Sequence, residues 1–473
     1  MMIEKPRAES RRAGPKSIHE TRDIPVEDEY DVIVAGGGAA GLIAALSAAR
    51  HGSRVLLVER QGCLGGTATT AYVAQYIGFY NRDVQAVWGL PFEFTKRILD
   101  AGGSPGFGQY LLAEASANPV EIRNFPFNPE IVKCVADEWI TEAGVELLLH
   151  ADVVGVCQNE ERIDGIIVED IARRRAYLAK VVIDATGDAV VAHHAGVEMQ
   201  PEEGDVNHAR QPQSLVFRLS NVDVARFRAI PREEKRALAL EGVRRGELFW
   251  ESLSFMSTPG GTDAICLMSR IREIDPLDPI QATRAELIGR QQVKSIVSFL
   301  KRQVPGFEKA IIANIAPRIG IRETRRIVGA YTITEADILG QVEFEDSIAL
   351  GCGPMDIHDA GGTGIRLFMP PAPFEIPMRC LVPANRDGLI VTGRAISATR
   401  GANGGARHMA TAMALGQAAG SMALVAAREA NATRALPASR VQEILRADGA
   451  AVTRVESLSR TRSAENKQPI INR

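Results

Sequence analysis

Compact apolar runs alternate along this chain with longer stretches in which small and apolar residues recur every three or four positions. Tyr30–Ala35 (YDVIVA) and Val55–Val58 (VLLV) are runs of strand type. Between them Leu42–Arg50 (LIAALSAAR) has the small-residue make-up of a closely packed helix that stops at Gly52. Residues 68–127 are loop-rich, with one helix at Leu90–Asp100. Asn128 can cap the next helix, Pro129 suits its first position, and Gly144 ends it. Ile131, Val132, Val135, Trp139 and Ile140 share one of its faces. Glu146–His150, Val153–Gln158 and Asp164–Glu169 read as short strands, and Lys180–Asp184 as a fourth. Strands alternating with helices predict an α/β fold.

From about residue 200 to 345 the texture changes. Asp223–Glu241 and Ala282–Gln303 read as helices, with strands at Ser214–Leu219 and Ala264–Met268, an α+β block inserted into the α/β pattern. The pattern returns with a strand at Gly388–Val391, a glycine-rich loop at Gly401–Gly405 and a helix from His408. The expected organisation is a flexible tail over 1–29, a nucleotide-binding domain in two parts (30–200 and 346–430), an inserted substrate or cap domain over 201–345, and a C-terminal helix and tail over 431–473. That helix is Ser439–Ala447. Met409–Ala427 is the most apolar long stretch, but Thr411, Gln417, Ser421 and its many Ala and Gly residues predict a buried helix rather than a transmembrane segment. Arg11 and Arg12 form a twin arginine with no apolar run behind it, so an export signal is not expected.

Residues 36–41 read GGGAAG between the first strand and its helix. Gly36 allows the tight turn, Gly38 lets backbone approach a pyrophosphate, and Gly41 lets helix pack on strand. The helix start, with Ala39 and Ala40, offers free N–H groups to phosphate. Glu59 closes the second strand, where a carboxylate can bond a ribose hydroxyl. Arg60–Ala68 (RQGCLGGTA) adds a second glycine pair. A nicotinamide nucleotide alone has no need of it, whereas a flavin nucleotide is longer and bends back over the strand ends. The chain contains one such fingerprint, so a separate NAD(P)H domain is not expected.

A formal charge of −3 gives no electrostatic reason to expect nucleic acid or an anionic membrane. Six cysteines form no CxxC pair, so metal and iron–sulfur spacings are missing and reduced, cytoplasmic thiols are the expectation.

From Gly36 through Thr67 the chain resembles the glutathione-reductase-type FAD proteins. Later stretches resemble one family of FAD-dependent oxidoreductases: RIGIRETRRIVG at 318–329, DIHDAGG at 356–362, IPMRCLVP at 376–383, GLIVTGRAISAT from Gly388, and MATAMALGQAAG at 409–420. The resemblance implies a three-layer FAD/NAD(P)-binding, Rossmann-like domain plus a substrate domain. It places Gly65, Gly66 and Thr67 near the ribityl chain or pyrophosphate, and Val153 near the adenine. Ala185, Gly187 and Asp188, which follow the fourth strand, and Gly393 and Arg394 join the cofactor set with Arg60. The stretch from Gly404 through Gly405 to Met413 is expected against the isoalloxazine. Thr67 stands where related proteins carry a histidine linkage, so non-covalent FAD is the expectation. Met378 and His408 depart from the family pattern.

Candidate chemical residues follow. Arg407 and His408 precede the flavin-facing helix and form the first choice for the substrate side, with Arg379 next. Asp356 and His358 share a face if extended; His358 can act as acid or base, or it can hold a loop. Arg318 and Arg322 would point together on a strand, with Arg326 further along. They form either a solvated basic face with Glu323 pairing locally or an anion clamp. Cys63 lacks a redox partner, and Cys380 reads as a buried thiol. The leading expectation is hydride transfer between a small organic substrate, anionic as one option, and flavin N5. A flavin-dependent hydratase or isomerase, a nucleic-acid-modifying flavoprotein and a non-catalytic nucleotide module are the alternatives. The electron partner is unidentified, and a homodimer stays open.

Overall fold

The computed structural model describes residues 17–114, 119–201, 210–259, 261–358, 365–429 and 432–465. The twin arginine and part of the 356–362 stretch lie outside the described residues. The main sheet runs in the order Glu146–Leu148, Val55–Val58, Val26–Ala35, Arg174–Asp184, Arg162–Glu169, Asp152–Asn159. Its first four strands are parallel, and Leu389–Val391 also pairs in parallel with the end of Arg174–Asp184. The last three strands form an antiparallel meander. Arg174–Asp184 therefore belongs to both, with residues 174–178 pairing into the meander and 182–184 meeting Leu389–Val391.

Alternation along the strands builds the layers. Val32, Val34, Val55 and Leu57 face the helices Ala39–Arg50, Pro129–Glu142 and Met409–Glu429. Ile33, Ala35, Leu56 and Val58 face the opposite way and pack with Ile166, Val168 and Tyr177 of the meander. This is the three-layer, Rossmann-like arrangement. The middle of the chain adds a four-stranded antiparallel sheet, Phe255–Met256, Ala264–Cys266, Phe217–Ser220 and Ile311–Ile315, covered by the helix Pro279–Gln303. Its Phe217, Ile265 and Phe299 join the same hydrophobic core as Val32 and Val34.

Several expected boundaries move. The first strand starts at Val26 and the fourth at Arg174 because Val26 pairs with Ala176 and Tyr30 with Ala179, so each supplies ladder partners for the other's polar residues. Asp223–Glu241 is two helices, Val224–Arg228 and Arg232–Arg244, interrupted before Pro231. Gly401–Gly405 is not a loop. It lies in the helix Arg400–Ala406, where the Thr399 hydroxyl accepts from the Ala402 N–H and the glycines pack close; a Cβ at Gly405 would stand 2.7 Å from the Met355 sulfur. Residues 318–327 form no regular strand and make isolated bridges at Gly320 and Ile327. The polar tail contains a further helix, Arg454–Glu465.

Among the described residues Met409–Glu429 is the one helix long and apolar enough to cross a membrane by length and composition, and 89 % of its most apolar window is buried inside the protein. It crosses Ala39–Arg50 at backbone distance: a Cβ on Gly416 would lie 2.1 Å from the Ala40 carbonyl oxygen, and one on Gly420 2.4 Å from that of Ala44. Replacing Gly416 by Val is expected to lower stability by about 1–3 kcal/mol through overpacking. A urea-unfolding midpoint unchanged from the parent protein would contradict this contact.

Candidate functional site

The first cleft opens where the first strand stops. Gly36 has φ +99°, which favours glycine, and a Cβ there would meet the Ala185 carbonyl oxygen at 2.6 Å. The helix Ala39–Arg50 begins after Gly38 with no side-chain cap, leaving its first N–H groups directed at the cleft. A Cβ added to Gly38 would find nothing closer than the Gly66 Cα at 3.9 Å, so it would project into open cleft. The Gly65 loop lies alongside, its N–H donating to the Gly37 carbonyl at 2.8 Å. Glu59 ties the two loops together: its carboxylate accepts from the Gly37 N–H at 2.7 Å and from the Gln61 N–H at 2.9 Å. The remaining lone pairs of those oxygens are available to a ligand hydroxyl.

Gly36, Gly38, Ala39, Ala40, Glu59, Arg60, Gly66, Thr67, Ala185, Gly187, Gly393 and Arg394 all border this cleft. Gly41 and Gly65 stand behind its wall. Asp188 is buried beside it, ion-paired with Arg394, with Arg60 at 3.3 Å and with Arg318 at 3.5 Å. Burial pushes its carboxyl up, but the three guanidinium groups outweigh burial and hold it at about 2. Besides Gly41, Gly65 and Asp188, three more of the expected cofactor residues do not border the cleft. Val153 sits on the outer meander strand. Gly405 is packed inside its short helix, and Met413 is fully buried in the long one.

A second cavity of about 180 Å³ adjoins the first. Thr67, Gly320, Ile321, Arg407 and Met409 wall both. Arg407 caps the end of Arg400–Ala406, and His408 occupies the break before Met409–Glu429, so a helix-to-helix junction aims both at this space. The His408 Nε2 lies 2.8 Å from the Pro354 carbonyl. A carbonyl only accepts, so Nε2 carries the hydrogen and Nδ1 is left as an acceptor. Burial and Arg407 depress its pKa.

Asp356 and His358 do share a face, on the strand Met355–His358, with His358 Nε2 3.1 Å from Asp356 Oδ1. Arg407 pairs with the other carboxylate oxygen at 3.2 Å. Burial pushes Asp356 up, but His358, Arg407 and Arg322 hold it well below the usual carboxylate range. His358 is pushed down to about 4 by burial and by Arg322. Its Nδ1 is buried with no hydrogen-bond partner among the described residues, at the cavity wall.

The arginines of 318–327 separate rather than forming one clamp or one solvated face. Arg318 reaches the first cleft and Arg322 the second cavity. Arg326 is buried and donates to the Ala398 carbonyl at 2.8 Å. Glu323 pairs with Arg400 at 3.1 Å, not with a near neighbour in sequence. Arg379 borders neither cavity. It is 48 % exposed, forks onto Asp346 through two bonds, and lies over the Tyr331 ring. Tyr110, Trp250 and Arg270 line the second cavity without any local motif that could have marked them.

Two outcomes are expected from this geometry. Gly38→Val should leave the apoprotein folded but abolish dinucleotide retention, read as loss of flavin from the purified protein; a flavin-loaded variant would contradict the role of that opening. His358 binds its proton more weakly folded (about 4) than unfolded (6.5). Its contribution to stability is therefore full above about 6.5 and falls as the pH drops towards 4, by at most about 1.4 kcal/mol per pH unit. His358→Gln should flatten that part of the stability profile, and an unchanged slope would show that the group is not held neutral.

The profile of the family described as FAD dependent oxidoreductase matches residues 31–445. A digeranylgeranylglycerophospholipid reductase of Methanococcoides burtonii is 25 % identical over 206 residues, 42 % of this chain and 47 % of that protein. A dihydrolipoyl dehydrogenase of Trypanosoma brucei brucei is 48 % identical over 46 residues, 10 % of each chain. The chain thus spans about half the length, or less, of the curated relatives it matches. A solved geranylgeranyl bacteriochlorophyll reductase-like protein of Thermoplasma acidophilum is 14 % identical and superposes with a TM-score of 0.48, covering 93 % of this chain and 87 % of that one. With the match extending over most of its length, the chain belongs to the FAD-dependent oxidoreductase family.

Proposed function

We propose that this FAD-dependent oxidoreductase transfers a hydride between flavin N5 and a small organic substrate seated in the second cavity. One observation carries the reading: the second cavity shares a wall with the dinucleotide cleft and presents a buried, unpartnered His358 Nδ1. The FAD cradle would be the uncapped start of Ala39–Arg50, the glycine pair at 65–66, Glu59 and the ends of the strands leading to Ala185 and Gly393. When bound, FAD supplies the centre that accepts or donates the hydride.

The chain's own groups do the rest. Thr67, Ile321 and Met409 border both spaces and hold the substrate against the cofactor side. Apolar residues around the cavity exclude water. Asp356 stands at ion-pair distance from Nε2 and favours that orientation of the His358 ring, leaving Nδ1 to hold or release the proton that accompanies hydride transfer. His408, fixed by the Pro354 carbonyl, offers a second acceptor in the same cavity. A flavin-dependent hydratase or isomerase would use the same proton carriers without net redox; anaerobic turnover with an unchanged flavin spectrum would favour it.

The test is an anaerobic screen of small organic compounds with flavin bleaching as readout. On the first substrate found, His358→Gln is expected to retain FAD and lose about 10²–10⁴-fold in turnover. Full activity in that variant removes His358 from the reaction. With a single dinucleotide fingerprint in the chain, direct reduction by NADH or NADPH is expected to be slow, and rapid stopped-flow bleaching by either would contradict this.

A further inference from the structure

We infer that the second cavity takes an organic carboxylate with an apolar body, its carboxylate on Arg322 and its body against Val73, Ile77, Val216 and Leu267. This deepens the reading of that cavity as the substrate site and rests on it.

The polar groups of the cavity divide into satisfied and unsatisfied ones. Asp356 is shared between Arg407 at 3.2 Å and His358 at 3.1 Å, so the Arg407 charge has a counter-charge beside it. Arg322 differs. One of its terminal nitrogens donates to the Pro212 carbonyl and to the Ser214 hydroxyl, both neutral acceptors. Among the described residues no carboxylate stands within ion-pair distance of it. Its direct bonds all go to neutral groups, and the carboxylate that acts on it, Asp356, is already engaged by Arg407 and His358, so the buried guanidinium is only partly compensated. Burial pushes its pKa down to about 10, with Arg407 and Arg270 adding to the fall and Asp356 opposing it. A planar carboxylate matches the guanidinium fork and supplies the missing charge.

The apolar side of the cavity sets the rest of the ligand. Beyond the charged cluster Val73, Ile77, Val216 and Leu267 form an aliphatic part of the wall, with Gln75, Tyr110 and Trp250 elsewhere on it. An alkyl or aryl group would bury against these side chains, where a second carboxylate would lose its hydration. The same carboxylate has a local consequence. Arg322 helps to keep His358 uncharged, and an anion seated on Arg322 offsets that field, so the histidine takes a proton more readily in the complex than in the free protein.

The FAD-loaded protein can be titrated with hexanoate, hexanamide and succinate, reading heat by calorimetry and the perturbation of the flavin spectrum. Hexanoate is expected to bind and to perturb the flavin, with hexanamide and succinate each about 10- to 100-fold weaker. Arg322→Gln should weaken hexanoate by a similar factor and leave hexanamide unchanged, and Arg322→Lys should recover part of the loss. Retained flavin absorbance confirms that each variant is folded. Hexanamide binding as well as hexanoate, or hexanoate binding unaltered in Arg322→Gln, overturns the carboxylate while keeping the cavity as a binding site beside the flavin. Succinate binding more tightly than hexanoate overturns the apolar body. If none of the three binds, the ligand class is wrong; the underlying reading then stands or falls on Leu267→Trp, which fills the cavity and must abolish substrate-dependent bleaching while FAD is retained.

Discussion

The helix Ala39–Arg50 is held on two sides by contacts that admit no side chain. At Gly41 a Cβ would lie 1.8 Å from the Gly36 carbonyl oxygen, and at Gly416 it would lie 2.1 Å from that of Ala40. Such approach gains dispersion contacts along two backbones and sets the height of the helix above the sheet. Everything at the first cleft follows from that height. The uncapped N–H groups reach its edge, the Gly65 loop can dock onto Gly37, and Met409 and Ala412 of the crossing helix form the far wall. Had any of these glycines carried a methyl group, the helix would stand off the turn and the cradle would widen.

A second tie is electrostatic. Asp188 is nearly inaccessible, and a carboxylate there is tolerable only because Arg394, Arg60 and Arg318 converge on it. These three arginines come from just past the late strand, from the loop after the second strand and from the middle of the chain. Arg318 is the case of most interest, because it carries the inserted block's main chain to the dinucleotide cleft. Thr324, from the same stretch, donates to Asp188 at 3.1 Å and strengthens the junction. The two cavities share a wall because this one segment borders both, with Gly320 and Ile321 between Arg318 and Arg322.

How far the molecule could be read from its sequence depended on how local each signal was. The helix cap at Asn128, the glycine turn at Gly36 and the acid at Glu59 depend on neighbours within a few residues or on one short strand–helix unit, and they stand where the spacing places them. The packing of Asp356 with His358 was legible for the same reason, since two residues apart on a strand is a fixed direction. Arg379 was not. Its sequence neighbours resemble a site-bearing stretch, but its direction is decided by Asp346, 33 residues away, which draws it to the surface.

The sequence by itself determined the α/β order, the FAD-type nucleotide motif and the apolar stripes that make a core, because these are properties of period and of short-range sterics. Only the tertiary structure decided that Gly401–Gly405 is helical, since the reason is a close fit against Met355 and Glu335 rather than any turn chemistry. It alone decided that Arg318, Arg322 and Arg326 go to three different places, since each follows an acceptor from a different segment: Asp188, Pro212 and Ala398. It alone brought Tyr110, Trp250 and Arg270 to the second cavity. Burial, long-range pairing and the field of distant charges are set by the fold as a whole, and no window of sequence contains them.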